Sequence, residues 1–157
     1  MKRRTVLHAG LAVAAGLVLP AHAAGPVQHA VLPQPRSIAE ELARALARKK
    51  ALVVMVSLRG CPYCEIVRDA YLRGLLAGGQ PVVQIEMTDS APLADAQGKA
   101  STHQEVVRAL DVRVAPTLLF FGRGGREVAE RMPGMPSPDY YGYYLQQRVE
   151  AANRAAA

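Results

Sequence analysis

The sequence has few of the side chains that hold metals or cofactors. Its 157 residues include two cysteines, four histidines and no tryptophan. A structural zinc site needs four ligands, and only His29 and His103 accompany the two cysteines outside the N-terminal leader described below. Neither histidine stands at a usual ligand spacing, and Glu65 stands where covalent haem attachment needs a histidine directly after Cys64. The sequence therefore predicts no metal site and no cofactor.

Charge of one sign is not concentrated in any part of the chain. The formal net charge is +6, from 19 basic and 13 acidic residues. Loss of the leader removes Lys2, Arg3 and Arg4 and leaves 16 basic against 13 acidic residues, a charge of about +3. The remaining arginines are scattered rather than grouped with aromatic side chains, which is typical of a solvated surface. Nucleic acid is therefore not an expected partner.

The first 23 residues have the pattern of an export signal. MKRR supplies positive charge, LAVAAGLVLP at 11–20 is a short apolar run, and Ala21-His22-Ala23 offers the small residues that a signal peptidase reads. The run is shorter than the roughly 20 apolar residues that span a membrane, which favours cleavage near Ala23 over a retained anchor. We therefore expect a periplasmic protein, exported by the general secretory or the twin-arginine route.

Strands and helices alternate along the predicted domain. A capping box at Ser37–Glu40 begins the first helix, and the apolar run ALVVMVSL at 51–58 is typical of a strand buried on both faces. Further along we predict a helix from the cysteines to Gly78-Gly79, a strand at 81–87, a polar loop at about 88–100, a helix at 102–110, a strand at 117–121, a hairpin strand at 126–131 and a helix from Pro138 to about Asn153.

This order predicts an α/β domain of three layers, with a mixed central sheet and helices on both faces. The chain then divides into a signal peptide at 1–23, a linker or leader at 24–35, the domain at 36–153 and a frayed tail at 154–157.

Both cysteines lie in the stretch RGCPYCEIV at 59–67. Cys61 follows the carboxyl end of the first buried strand, where open α/β sheets place ligand-handling groups, and Pro62 suits the first turn of a helix. Residues three apart on a helix lie about 5–6 Å apart, within the Cα separation that a disulfide tolerates. A disulfide enclosing so short a loop contributes little as a staple, so a working redox pair is favoured over an inert one.

The two thiols are not equivalent in this arrangement. Cys61 at the helix N-terminus meets unpaired N–H groups and the positive end of the helix dipole, both of which favour thiolate. Arg59 adds a positive charge nearby, whereas Cys64 faces the core. The sequence therefore predicts Cys61 as the nucleophile and Cys64 as the resolving cysteine.

Two separated stretches resemble the thioredoxin-fold thiol–disulfide oxidoreductases. One is Cys61-Pro62-Tyr63-Cys64 between a strand and a helix, and the other is LDVRVAPTLLFF at 110–121. A proline that enters a core strand is confined to its first residue or to an irregularity. The resemblance implies that Ala115–Pro116 is cis, packs beside the two sulfurs and pairs with an extended substrate peptide. It also assigns Pro62 and Tyr63 to the substrate-binding surface.

The chain departs from the thioredoxin pattern at two positions beside the cysteines. Gly60 stands where thioredoxins usually carry tryptophan, and Met55 stands near the place of their buried acid. Pro62-Tyr63 is the glutaredoxin dipeptide. The export signal, the long loop at 87–100 and the ending with GREVAER at 125–131 and YYGYYL at 140–145 are similar to periplasmic thioredoxins, including the type attached to sulfur oxidation. The resemblance implies protein thiols or disulfides as substrates. We also expect a membrane electron-transfer partner and a monomer.

The sequence is compatible with more than one function. The same fold also serves as a binding module whose disulfide does not turn over, and the dithiol alone does not distinguish a reductase from an oxidase or an isomerase.

Helical spacing predicts that Tyr141, Tyr144 and Leu145 face the sheet. His103 is expected at the surface. Met132 and Met135 either dock a partner or fill a gap.

Overall fold

The computed structural model describes residues 31–157, so the predicted export signal and most of the predicted linker lie outside it. The described chain contains five α-helices and seven strands, the longer of which alternate as predicted. The helices are α1 (Ile38–Ala47), α2 (Pro62–Val67), α3 (Arg73–Ala77), α4 (His103–Ala109) and α5 (Pro138–Ala156). The strands are β1 (Leu52–Ser57), β2 (Val82–Glu86), β3 (Pro92–Ala94), β4 (Ala100–Thr102), β5 (Thr117–Gly122), β6 (Arg126–Glu127) and β7 (Met132–Pro133). A π-helical turn at Arg68–Leu72 joins α2 to α3, and a 3₁₀ turn at Arg123–Gly125 follows β5.

The central sheet is mixed and lies between two helical layers. Its strands run in the order β2-β1-β5-β6, with β7 also paired to β5. β1 is parallel to β2 and antiparallel to β5. Residues of α2 and α5 pack on one face of the sheet, and residues of α1 and α4 pack on the other. The predicted three-layer α/β fold is confirmed.

Strand β1 is buried along its whole length, as predicted. Because successive side chains of a strand point to opposite faces, β1 contributes to both cores. Val53 and Met55 share one core with Cys64, whereas Val54 and Val56 belong to the other. A continuous apolar run was therefore the correct signal for a central strand.

Two helices begin at the side chains that the sequence indicates. The Ser37 hydroxyl accepts a hydrogen bond from the Glu40 N–H at 3.2 Å, and the Thr102 hydroxyl accepts one from the Glu105 N–H at 3.3 Å. Each satisfies one of the N–H groups that a helix leaves unpaired at its start. The predicted starts of α1 and α4 are confirmed.

The ends of the domain differ from the prediction. Helix α5 continues to Ala156, whose side chain is buried, so the expected fraying of residues 154–157 is wrong. At the other end Leu32 is buried in the core, and the Pro33 carbonyl accepts a hydrogen bond from the Gln84 N–H at 2.9 Å. The last residues of the predicted linker thus belong to the folded domain.

The segment predicted as a polar loop at 88–100 contains structure of its own. Strands β3 and β4 pair in a two-stranded antiparallel sheet. Leu93 anchors it in the core that includes α1, and the Asp95 carboxylate accepts hydrogen bonds from the N–H groups of Gln97 and Lys99 at the turn. The predicted hairpin strand at 126–131 is shorter than expected, because its strand covers Arg126–Glu127 and one further backbone hydrogen bond joins the Val128 N–H to the Phe120 carbonyl of β5 at 2.9 Å.

The tyrosines of α5 divide differently from the prediction. Tyr141 and Leu145 are buried, but Tyr144 is 53% exposed, so its predicted core position is wrong. The buried stripe of α5 continues through Val149 and Ala152, and Tyr144 lies beside that stripe rather than on it.

None of the helices formed by residues 31–157 is long and apolar enough to cross a membrane.

Candidate active site

The cysteine pair lies at the start of helix α2. Cys61 is the N-cap residue and Pro62 occupies the first turn, as predicted. The two sulfurs are joined in a disulfide, with their Cα atoms 5.2 Å apart. The Cys64 N–H points to the Cys61 sulfur at 3.2 Å. The helix begins here for two reasons. Pro62 lacks an N–H group, which the first turn of a helix would leave unpaired in any case, and the Cys61 side chain accepts from the N–H of Cys64.

The environments of the two sulfurs differ. Cys61 is partly exposed, whereas Cys64 is 1% exposed and belongs to the core. The N–H groups of Cys64 and Glu65 also point to the Cys61 carbonyl, at 3.1 and 3.2 Å. A thiolate at Cys61 would face the Cys64 N–H and the positive end of the helix dipole, both of which stabilise negative charge, and a reagent can reach it from solvent. Cys64 has no such access.

The Ala115–Pro116 peptide bond is cis, as the resemblance implied. The Ala115 carbonyl oxygen lies 3.8 Å from the Cys61 sulfur, so the segment before β5 stands directly beside the disulfide. The Thr117 hydroxyl donates to the Val114 carbonyl at 2.7 Å, which fixes the entry to β5. The structure thus brings together Cys61, Ala115 and Pro116, although the chain separates them by more than 50 residues.

The loop before α5 also reaches this place. The Gly134 N–H donates to the Pro116 carbonyl at 2.6 Å, and Met132 and Met135 pack against the core that contains Cys64. Both methionines therefore fill space beside the site. Sequence reasoning left their role open, and the Met-Pro-Gly-Met-Pro pattern was the only local signal for this loop.

The helix side chains assigned to substrate binding lie at the surface next to the disulfide. Pro62 is exposed, and Tyr63 is 58% exposed. Ile66 at 44% and Val114 at 45% are further exposed apolar side chains on the segments that flank the cysteines.

A polar chain of side chains crosses the sheet face beneath helix α2. Arg68 donates to the Gln84 amide oxygen at 2.9 Å and to the Ser57 hydroxyl at 3.4 Å. The Gln84 amide N–H donates onward to the Glu86 carboxylate at 2.6 Å. Sequence reasoning missed this chain. Its signal was the presence of Gln84 and Glu86 in the otherwise apolar strand VVQIE.

The predicted surface position of His103 is wrong. Its side chain is buried rather than at the surface, and its Nδ1 accepts a hydrogen bond from the Glu86 N–H at 3.2 Å. Burial lowers the pKa of the His103 imidazole below its ordinary value, against the opposing effect of the Asp89 and Glu86 carboxylates. His103 is therefore a neutral structural acceptor. Within residues 31–157, no three histidine, cysteine or acidic side chains are grouped to hold a metal ion.

The site has the arrangement of a thiol–disulfide oxidoreductase, with one accessible and one buried cysteine at a helix start beside a cis proline. The family model for the thioredoxin-like domain matches residues 38–148. The chain belongs to the thioredoxin-like family.

Two solved structures with TM-scores above 0.5 share the fold. The chain is similar to a DsbH oxidoreductase, with 19% identity, a TM-score of 0.54 and coverage of 90% of this chain and 95% of the other. It is also similar to a thioredoxin from Thermus thermophilus, with 25% identity, a TM-score of 0.51 and coverage of 74% and 85%. The periplasmic thioredoxin SoxS from Paracoccus pantotrophus matches at 22% identity and a TM-score of 0.44, covering 66% and 99%. No curated protein sequence gives a significant match.

Proposed function

We propose that this protein is an exported oxidoreductase that exchanges disulfides with protein substrates through Cys61 and Cys64. The observation that carries the proposal is the asymmetry of the pair, since Cys61 is accessible at a helix N-terminus and Cys64 is 1% exposed. A nucleophile needs access and thiolate character, and a resolving thiol needs to be shielded from the substrate and close to the nucleophile.

The reaction follows from these positions. In the reducing direction, the Cys61 thiolate attacks a substrate disulfide and releases one substrate thiolate. Cys64 then attacks the Cys61 sulfur, forms the intramolecular disulfide and releases the second substrate thiolate. The 5.2 Å Cα separation of the bonded pair lies within the range of unstrained disulfides, so the ring closes without a large backbone movement. The oxidising direction is the same sequence reversed.

The surface around Cys61 suits an extended polypeptide. The Ala115 backbone stands beside the Cys61 sulfur and would pair with a substrate main chain, in the way that an extended peptide adds to exposed backbone groups. Pro116 would shape that groove. Pro62 and Tyr63 would contact side chains that flank the substrate cysteine, because both are exposed on the first turn of α2.

The proposed protein acts in the periplasm and exchanges electrons with a membrane partner. The signal pattern at 1–23 supports a periplasmic location, where a dithiol that cycles needs electrons carried to it or from it by a membrane partner. We expect the mature protein to act as a monomer.

The test is the turnover of a protein disulfide by the mature chain, residues 24–157, supplied with a chemical reductant. We expect catalysed reduction that depends on both cysteines. If a reduced and accessible pair gives no turnover, the fold instead serves as a binding module with a disulfide that does not cycle, and the proposal is wrong.

A further inference from the structure

The polar chain beneath α2 lies on the face of the sheet that holds Cys64. Alternation along β1 places Ser57 on the same face as Met55, which shares a core with Cys64. The register of the parallel pair sets Ser57 opposite Glu86 and Met55 opposite Gln84. Arg68 follows Cys64 by four residues and lies one helical turn beyond it, on the same helix face. The chain Arg68–Gln84–Glu86 therefore lies on the same face of the sheet as the resolving thiol.

Some of the same side chains also line a solvent-accessible cleft next to Cys61. A cleft of about 290 Å³ is lined by Cys61 and by Ser57, Arg68 and Glu86. This volume is large enough for several water molecules, and its walls offer the polar partners that ordered water needs. Glu86 therefore lines the same polar cleft as Cys61, whose sulfur is bonded to that of Cys64. Met55, which is buried in the core that contains Cys64, carries no proton-accepting group.

The Glu86 carboxylate is held in one place. Gln84 donates to its side chain at 2.6 Å, and the His103 ring accepts from its backbone N–H. Among residues 31–157, Arg68 forms hydrogen bonds to the neutral groups of Gln84 and Ser57 rather than an ion pair. The carboxylate therefore keeps its second oxygen for another proton donor.

We propose that Glu86 accepts the proton of Cys64, through solvent in this cleft, when Cys64 attacks the mixed disulfide at Cys61. The inference rests on the proposed function. In this step the Cys64 S–H bond breaks and its proton passes to the carboxylate. A Cys64–Cys61 S–S bond forms, and the bond from Cys61 to the substrate sulfur breaks. The substrate leaves as a thiolate and takes up the proton. Arg68 and Gln84 are positioning residues.

Other ionisable groups face the same carboxylate and bear on its pH dependence. They are Arg68 from the helix, Asp89 from the turn after β2, His103 from α4, and Arg59 and Glu65 at the rim of the cleft. Glu65 is the useful control, because it lines the cleft with the same chemical group but is exposed on the first turn of α2.

The experiment separates the two thiol steps by stopped flow. Reduced mature protein is mixed with dithiobis(nitrobenzoate), which releases one coloured thiolate when Cys61 attacks and a second when Cys64 resolves. For Glu86→Gln we expect an unchanged first release and a second release slowed about tenfold or more at pH 7. The slow release should recover as the pH rises, because hydroxide in the solvent then removes the Cys64 proton without the carboxylate. Glu86→Asp, which keeps a carboxylate, should retain most of the wild-type rate.

The outcomes assign failure to one proposal or the other. If wild-type protein gives the first release without the second, the proposed function fails and this inference fails with it. If wild type gives both releases and Glu86→Gln has the same second rate and pH profile, only the role of Glu86 is overturned. Equal slowing by Glu65→Gln would also overturn it, because the effect would then reflect any negative charge in the cleft. The unchanged first release shows that the variant is folded around Cys61.

Discussion

Replacing Asn153 by alanine tests how the last helix is held to the start of the central strand. The Asn153 side-chain oxygen accepts a hydrogen bond from the Ala51 N–H at 2.9 Å, and its amide donates to the Gln80 side-chain oxygen at 3.0 Å. Gln80 in turn donates to the Ala51 carbonyl at 2.7 Å. The three residues form a closed ring of hydrogen bonds in which Ala51 is 0% and Gln80 is 5% exposed.

Alanine at position 153 leaves two buried polar groups without partners, the Ala51 N–H and the Gln80 amide oxygen. Each unsatisfied group costs about 1–3 kcal/mol. Water reaches Gln80 more easily than Ala51, so the expected loss in the free energy of unfolding is about 2–4 kcal/mol. The better helix propensity of alanine offsets only a few tenths of this.

The measurement is urea unfolding of the mature protein, followed by circular dichroism. Arg154→Ala is the matched control, because Arg154 is the exposed neighbour on the same helix and should change the stability by less than about 0.5 kcal/mol. A loss below about 0.5 kcal/mol for Asn153→Ala would refute the reasoning, since the ring would then contribute no more than an exposed side chain.

Three further predictions concern the caps, the buried histidine and the cysteines. Ser37→Ala should destabilise the protein by about 1 kcal/mol in the same unfolding assay, because it removes the N-cap of α1; an unchanged midpoint would contradict this. His103 has a folded pKa below its ordinary value of 6.5, so its neutral form contributes stability above pH 6.5 that is lost as the pH falls through the lowered folded pKa. As the pH falls from 6.5 toward the lowered folded pKa, the free energy of unfolding should therefore decrease more steeply in wild type than in His103→Gln. Parallel curves over this range would argue against the prediction. Cys64→Ser should trap substrate proteins on Cys61 as mixed disulfides that reductant releases, seen on non-reducing gels, whereas Cys61→Ser should trap little; the reverse pattern would exchange the two roles.

The features predicted correctly from the sequence are those with a local physical cause. Pro62 after Cys61 indicates a helix start, and Ser37 with Glu40 indicates an N-cap, because both signals act within one helical turn. Strand β1 was predicted correctly because a strand that is buried on both faces is apolar along its whole length. The cis bond before Pro116 came from the resemblance and is confirmed.

The features that were missed depend on contacts between distant residues. His103 is buried because the carboxyl end of β2 offers it a backbone N–H partner, which no neighbour in the chain reveals. Ala156 is buried because α5 runs back along the sheet, and a tail rich in alanine has no local signal for that. The chain of Arg68, Gln84 and Glu86 exists only once α2 lies over β2. Polar residues inside apolar strands were the cue that sequence reasoning passed over.

The central sheet divides the interior into two cores, and only one of them contains Cys64. A change of redox state adds or removes a covalent link in the half formed by α2, α5 and one face of β1. The half formed by α1, α4 and the β3–β4 hairpin meets the dithiol only through the backbone of the sheet. Amide resonances on the first half should therefore report the redox state, while those on the second half serve as internal references. An electron carrier could recognise the oxidised or the reduced form by touching the first half alone.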